Sequence, residues 1–175
     1  DNFNYTQPEE GSHAISSYSD SGINKETVIF KDSYVVDHHF NNIPKNSEVS
    51  IVWDAGILPS ERMLNDDISY FSVFAQDQDS YSEEFLSSVE VGSSLVFDDR
   101  VGWAGIKSKY FMNAITNHKF DERKADKVVF TAVEKSINDL SFTSAEVEFF
   151  YSYDDLVFNE SGQKVLSLSS YMGPI

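Results

Sequence analysis

The chain contains no cysteine, which excludes disulfides, thiolate metal sites and cysteine nucleophiles and leaves the thiol inventory silent on redox compartment. No apolar run approaches the roughly 20 residues needed to span a bilayer. The first ten residues carry neither the basic stretch nor the apolar stretch of a signal peptide. These absences suit a cytosolic protein or a soluble piece of something larger. Basic residues are also scarce: 13 Lys plus Arg stand against 29 Asp plus Glu, a formal net charge of -16. A field of that sign argues against direct binding to nucleic acid or anionic lipid. Gly-x-Ser-x-Gly, Walker, Gly-x-Gly-x-x-Gly and His-Glu-x-x-His strings are absent as well.

What is present is core-forming material. Apolar residues make up 41% of the 175, with 14 Phe, 9 Tyr and 2 Trp, too much for a disordered acidic tail. The length suits one compact domain spanning residues 1–175. Charge is uneven along it. Residues 54–100 hold 11 acids and two bases, whereas residues 101–135 hold seven bases and four acids. The first segment reads as a solvated anionic belt. The second contains a basic strip, Lys107 to Lys127, in which Lys119, Arg123 and Lys124 are candidates for contact with an acidic partner or a membrane face.

Periodicity favours strands. Val49, Ile51 and Trp53 alternate with Ser50 and Val52 and run into Asp54, Ala55 and Gly56. The same period of two links Val147, Phe149, Tyr151 and Tyr153, then Val128 with Phe130 and Leu166 with Leu168, with a turn over residues 159–162. Val28, Phe30, Tyr34 and Val36 suggest further strands, and residues 68–75 are aromatic and β-branched in the way a packed strand requires. Trp103, Ile106, Tyr110 and Ala114 fit helical spacing while Tyr110, Met112 and Ala114 also alternate, which predicts a short helix running into a strand. Residues 12–22 read as a Ser-rich loop and residues 77–84 as a polar connection. The expectation is a mostly β, antiparallel sandwich with one or two short helices.

The residues capable of chemistry are not grouped in any recognisable way. His38 and His39 are adjacent, so on a strand they face opposite ways and cannot chelate one metal. Asp77, Asp79, Glu83 and Glu84 lack the glycine and closing glutamate of a calcium loop. Carboxylate pairs (Asp66 with Asp67, Asp98 with Asp99, Asp154 with Asp155) are too numerous for any one to be informative. Asn159-Glu160-Ser161 matches a glycosylation sequon. The balance is against an enzyme, and no cofactor or metal is expected. One alternative stays open: a secreted carbohydrate-binding or sugar-processing sandwich, suggested by Tyr70, Phe71, Tyr81, Tyr151 and Tyr153, aromatics expected to be exposed beside carboxylates.

Three strings carry a resemblance. Asp32-Ser33-Tyr34-Val35-Val36-Asp37, followed by Ile51-Val52-Trp53-Asp54-Ala55-Gly56-Ile57-Leu58-Pro59-Ser60-Glu61, resembles a strand ending in Trp, a Gly-Leu turn and a Glu. Val101-Gly102-Trp103-Ala104-Gly105-Ile106-Lys107-Ser108-Lys109-Tyr110-Phe111 is similar to a Trp-x-Gly-x-Lys-x-Lys-Tyr-Phe string and is the most specific of the three. Ser169-Ser170-Tyr171-Met172-Gly173-Pro174 is similar to a closing Tyr-Val-Gly-Pro string, with Met172 in place of the usual Val. Together they resemble the large periplasmic domain of the YidC membrane protein insertases (the Oxa/Alb/YidC family), over roughly residues 28–175, with residues 1–27 irregular or divergent and a closing strand ending near 174.

The resemblance implies an antiparallel β-supersandwich of galactose-mutarotase-like topology at the periplasmic face of the bacterial inner membrane. It implies a non-enzymatic accessory domain supporting insertion and folding of inner-membrane proteins with or beside the Sec translocon. SecD/SecF and SecY are the implied partners, and nascent membrane proteins would meet a membrane bundle that these residues do not include. Physically, Trp53, Trp103, Tyr110 and Phe111 are expected to fill the inter-sheet core, and Gly56 and Gly105 to permit tight turns. Glu61, Lys107, Lys109, Tyr171 and Gly173 belong to the same strings, and Gly173-Pro174 is expected to end the last strand and set the direction in which the chain leaves it.

Overall fold

A computed structural model of the chain describes residues 3–8, 10–19, 22–45, 48–54, 56–59, 63–77, 80–98, 100–117 and 124–175. It is an antiparallel β-sandwich. In chain order the strands are β1 (Phe3–Thr6), β2 (Ser12–Tyr18), β3 (Asn24–Phe30), β4 (Val35–Asn41), β5 (Glu48–Trp53), β6 (Ser72–Gln76), β7 (Tyr81–Phe85), β8 (Ser94–Phe97), β9 (Trp103–Lys107), β10 (Phe111–Asn117), β11 (Lys127–Ile137), β12 (Leu140–Ser152), β13 (Val157–Phe158) and β14 (Lys164–Pro174). One helix, α1 (Leu64–Ile68), precedes β6, and a 3-10 turn, Leu86–Ser88, follows β7. The large sheet runs β1-β2-β3-β4-β14-β10-β9-β6-β7, with β13 pairing off β14, and the small sheet runs β5-β12-β11-β8. Among the described residues no helix is long and apolar enough to cross a membrane.

The strongest alternation in the sequence builds the small sheet. Val128, Phe130 and Ala132 of β11 sit opposite Phe149, Val147 and Ala145 of β12, and all six are buried. The hairpin between these strands turns through Asn138 and Asp139, both at positive φ (49° and 63°), the conformation of a two-residue turn whose twist matches that of its strands. Facing them from the large sheet are Val73, Ala75, Ala104, Ile106, Ile115, Leu166 and Leu168. Val49, Ile51 and Trp53 of β5 are half-buried and pack on this core, and so does Tyr153.

The structure departs from the sequence reading in four places. Residues 12–18, expected in a loop, form β2, whose seven residues pair with β3 in unbroken register while β1 pairs on its other side. Neighbouring strands hold this Ser-rich segment extended despite its weak strand propensity. Residues 81–84, expected in a polar connection, belong to β7 on the sheet edge. In residues 68–75, Ile68 ends α1 and the strand starts at Ser72. Over residues 103–114 there is no helix: β9 and β10 are joined by a tight turn in which Ser108 and Phe111 bond backbone to backbone at 2.8 Å.

One buried charge closes the far end of the sandwich. Lys164 on β14 is buried, and its ammonium donates to the carbonyls of Asp154 (3.0 Å) and Leu156 (2.6 Å) and lies 4.4 Å from the centre of the Phe158 ring. It thereby ties down the 153–156 turn between β12 and β13, satisfying carbonyls that the turn leaves without strand partners.

Candidate functional site

In a two-sheet sandwich the inner face of each sheet is committed to the core, so surface function falls to outer faces, edges and strand ends. Strand pairing places Val28, Asp37, Ser169, Thr116, Trp103, Gln76 and Tyr81 in one row across the outer face of the large sheet, from β3 through β4, β14, β10, β9 and β6 to β7. The adjacent row contains Val35, Tyr171, Ala114, Gly105, Phe74 and Glu83. Two features arise on this face, and another lies at the end of the sheet, beside the β9–β10 turn.

The first is an aromatic and ionic cluster at the β7 edge. The Phe74 and Trp103 ring centres are 5.0 Å apart, and Tyr81 lies 6.2 Å from each. Trp103 Nε1 donates to Gln76 Oε1 at 2.7 Å. Gly105, directly beside Phe74 in the pairing, has no side chain to displace that ring, and Phe74 is fully buried although it points away from the core. Glu83 accepts from Ser72 Oγ (2.7 Å), the Tyr81 hydroxyl (2.9 Å) and Lys107 Nζ (2.8 Å). Partial burial works against the Glu83 charge, but the bonds from Lys107, Ser72 and Tyr81 outweigh it and hold the carboxyl below its ordinary range. Burial likewise opposes the Lys107 charge, and its bonds to Glu83 and Tyr81 reverse the effect and raise it. Tyr81 is pushed up mainly by burial.

The second is an exposed aromatic belt at the β9–β10 turn. The Lys109 ammonium lies 5.0 Å from the centre of the Tyr70 ring and 5.4 Å from that of Tyr110, and pairs with Asp66 at 3.1 Å, a bond that raises the lysine above its usual value. Phe111 pairs with Pro174, and the Tyr110 carbonyl accepts from the Ile175 backbone at 2.9 Å. The belt continues through Tyr171, whose hydroxyl donates to the Pro174 carbonyl (2.6 Å), to Tyr34, whose ring lies 6.1 Å from that of Tyr171. Tyr34 also covers Gly173: a side-chain carbon there would lie 2.7 Å from Tyr34 Cγ. Tyr34, Tyr70, Tyr110, Phe111, Met172 and Ile175 are all exposed.

The third is a cavity of about 540 Å³ over the β4–β14–β10 part of the row, lined by Phe30, Ser33, Val35, Asp37, Thr116, Asn117 and Ser169. Asp37 and Ser169 are buried in its floor, with Ser169 Oγ donating to Asp37 Oδ1 at 2.6 Å. On the same strand, directly after Asp37, the two histidines diverge as a strand demands. His39 lies on the outer face, bonded to Ser167 at 3.0 Å, and His38 on the inner face, bonded to Ser170 at 2.9 Å and Thr27 at 3.4 Å. Burial first, and Lys25 second, lower His38 to about 4, so it is neutral at pH 7. No group of three or more potential metal ligands occurs among the described residues.

The residues singled out in the sequence divide accordingly. Trp53 is half-buried against the core, as expected. Trp103, Tyr110 and Phe111 are not in the inter-sheet core: Trp103 faces outward, and Tyr110 and Phe111 are 46% and 43% exposed. Hydrophobic size predicts burial on average but does not choose between a sheet's two faces or its end. Gly105 is not in a turn but in the middle of β9. Gly56 lies against Lys135, whose ammonium would stand 2.7 Å from a side-chain carbon at that position and which pairs with Asp54 at 2.6 Å. Phe71 and Tyr151, expected exposed, are core residues; Tyr70 and Tyr81 are exposed. Glu61, Lys119 and Arg123 lie outside the described residues, as does Asp79. Lys124 is half-buried beside Gly102, and Lys127 lies 3.9 Å from the centre of the Phe150 ring. The cavity was not anticipated, because the Asp37–Ser169 pair joins residues 132 positions apart, at the ends of two different strings that nothing in the sequence brings together.

No protein-family model matches the chain, and no curated protein matches it.

Proposed function

We propose that this chain is a non-enzymatic periplasmic module of a YidC-type membrane protein insertase, acting at the bacterial inner membrane with or beside the Sec translocon. The observation that carries the reading is the meeting of two of the three strings. Lys109-Tyr110-Phe111 and Tyr171-Met172-Gly173-Pro174 are far apart in sequence, yet Phe111 pairs with Pro174 and the Tyr110 carbonyl holds the Ile175 backbone. Their shared product is one exposed aromatic belt with a lysine seated on its rings. Large amphipathic side chains of this type are enriched where proteins meet partners or membrane interfaces. The assignment gives Gly173 and Pro174 a concrete task, fixing the last strand beneath Tyr34 and beside the β9–β10 turn.

Photo-cross-linking in cells tests the partner side of this proposal. A benzophenone amino acid at Tyr110 or Met172 of the complete protein is expected to capture SecD, SecF or SecY. The same probe at Val52, exposed on the edge strand of the small sheet, is expected to capture none of them. Equal capture from all three positions, or none from any, would remove the belt as the contact surface.

A further inference from the structure

The large sheet is much wider than the small one, so part of its inner face has no layer above it. Two contacts locate that part. Val96 and Phe97 of β8 share a recess with Ala75 of β6 and Ser82 of β7, which places β8 over the β6–β7 edge. Lys164 of β14 bonds the carbonyls just after β12, which places that end of β12 beside β14. β5, on the far side of β12, therefore falls over the β14–β4 part, and β3, β2 and β1 project beyond it by about 14 Å.

Burial along the paired residues marks the same boundary. One row runs Leu168, His38, Thr27, Ile15, Tyr5, from a core residue to side chains 42% and 64% exposed. The next runs Ile115, Ser170, Val36, Ile29, His13 and ends as exposed as the first. A third passes from buried Leu166 through half-buried Phe40 to exposed Lys25, whose ammonium lies 5.6 Å from the centre of the Phe40 ring. Among the described residues Lys25 has no carboxylate partner, and no Asp or Glu lies on the inner face of β1 to β4, in a chain with 29 of them. The result is an apolar shelf with one lysine. Along its side runs the free edge of β5, where every second residue turns its N–H and C=O away from β12.

Occupants differ in how they fit this shape. A second copy joined through its own β5 in antiparallel register needs a two-fold axis perpendicular to the small sheet. Both large sheets then lie on the same side, and the two shelves collide. A helix laid on the shelf leaves the β5 edge groups without partners. A single extended segment satisfies both surfaces: its main chain pairs with β5, and every second side chain drops onto Ile15, Ile29 and Val36. Charge then sets the composition, because the solitary Lys25 favours a carboxylate and opposes another lysine.

We propose that the shelf beside β5 takes one extended segment of a partner protein as a fifth strand of the small sheet, with apolar side chains on Ile15, Ile29 and Val36 and a carboxylate at Lys25. None of the aromatic-belt residues takes part, so the belt and the shelf stand or fall separately.

Amide chemical-shift and hydrogen-exchange measurements on the chain with three decapeptides test it. One alternates valine with aspartate and threonine, one has lysine in place of aspartate, and one has the residues of the first reordered so that no alternation remains. The aspartate peptide is expected to shift the amides of Ile15, Ile29 and β5 and to slow exchange along β5. Lys25→Glu is expected to weaken it about fivefold and Ile29→Ser several-fold, with melting temperatures within a few degrees of the parent showing that the fold persists. The net charge of -16 by itself favours the lysine peptide, so tighter binding of that peptide would overturn the charge assignment. Equal binding of the reordered peptide would overturn strand pairing. Sedimentation equilibrium tests the rival occupant: a dimer that Ile29→Ser dissociates would put a second copy on the shelf and overturn the proposal. No response to any peptide at several millimolar would overturn the shelf as a docking site.

Discussion

Gly105→Val is expected to lower the melting temperature by about 6–12 °C, corresponding to roughly 3 kcal/mol for a chain of this size. The cause is local. A side-chain carbon on Gly105 would stand 2.7 Å from Ala114 Cα and 3.0 Å from the Asn113 carbonyl carbon, and both are backbone atoms of the paired strand β10. Neither can rotate away, so the relief must come from separating β9 and β10. The β9–β10 pair also supports the aromatic belt, so loss of stability and loss of belt geometry should appear together. Gly92 is the control. Its φ of +87° favours glycine, but nothing lies within 4 Å of an added carbon, so Gly92→Ala should cost about 1 kcal/mol, from backbone strain without a clash. Thermal unfolding followed by circular dichroism checks both, and a Gly105→Val protein that melts within a degree or two of the parent would contradict the argument.

Phe130→Ala is expected to cost about 3–5 kcal/mol. Phe130 sits in the centre of the small sheet, 1% exposed, opposite Val147 and Leu95 and edge-on to Phe97 at 5.6 Å between ring centres. Removing the ring deletes its buried apolar area and leaves a cavity that strands hydrogen-bonded on both sides cannot close. By contrast Val96→Ala, one residue along on the exposed face of β8, should change stability by less than about 0.5 kcal/mol. Urea titration of the two variants measures the difference, and equal costs would show that the small sheet does not face the core as described.

The fold class was legible wherever one face of a strand is buried and the other wet. Val128 and Phe130, Val147 and Phe149, and Leu166 and Leu168 announced their strands through a period of two, and each of these residues is buried. Legibility failed where neighbours, and not the segment itself, decide the structure. The Ser-rich β2 is extended because β1 and β3 flank it, and β7 is a strand because β6 offers it an edge. It failed again over direction. Trp103, Tyr110 and Phe111 look like core residues by size, but β9 and β10 turn at Ser108 and leave Tyr110 and Phe111 at the sheet's end, while Trp103 faces the outer side. The cavity was hidden more completely, since Asp37, Thr116 and Ser169 come together only when β4, β14 and β10 lie side by side. The aromatic belt was half visible: its residues were marked by the resemblance, but their convergence required the pairing of Phe111 with Pro174.

The insertase reading is tested most directly by the complete reading frame around residues 1–175. The account predicts apolar segments of roughly 20 residues on both sides, one preceding Asp1 and several following Ile175, the latter including a polar face with an arginine. A frame that encodes no such segment after Ile175 would contradict it.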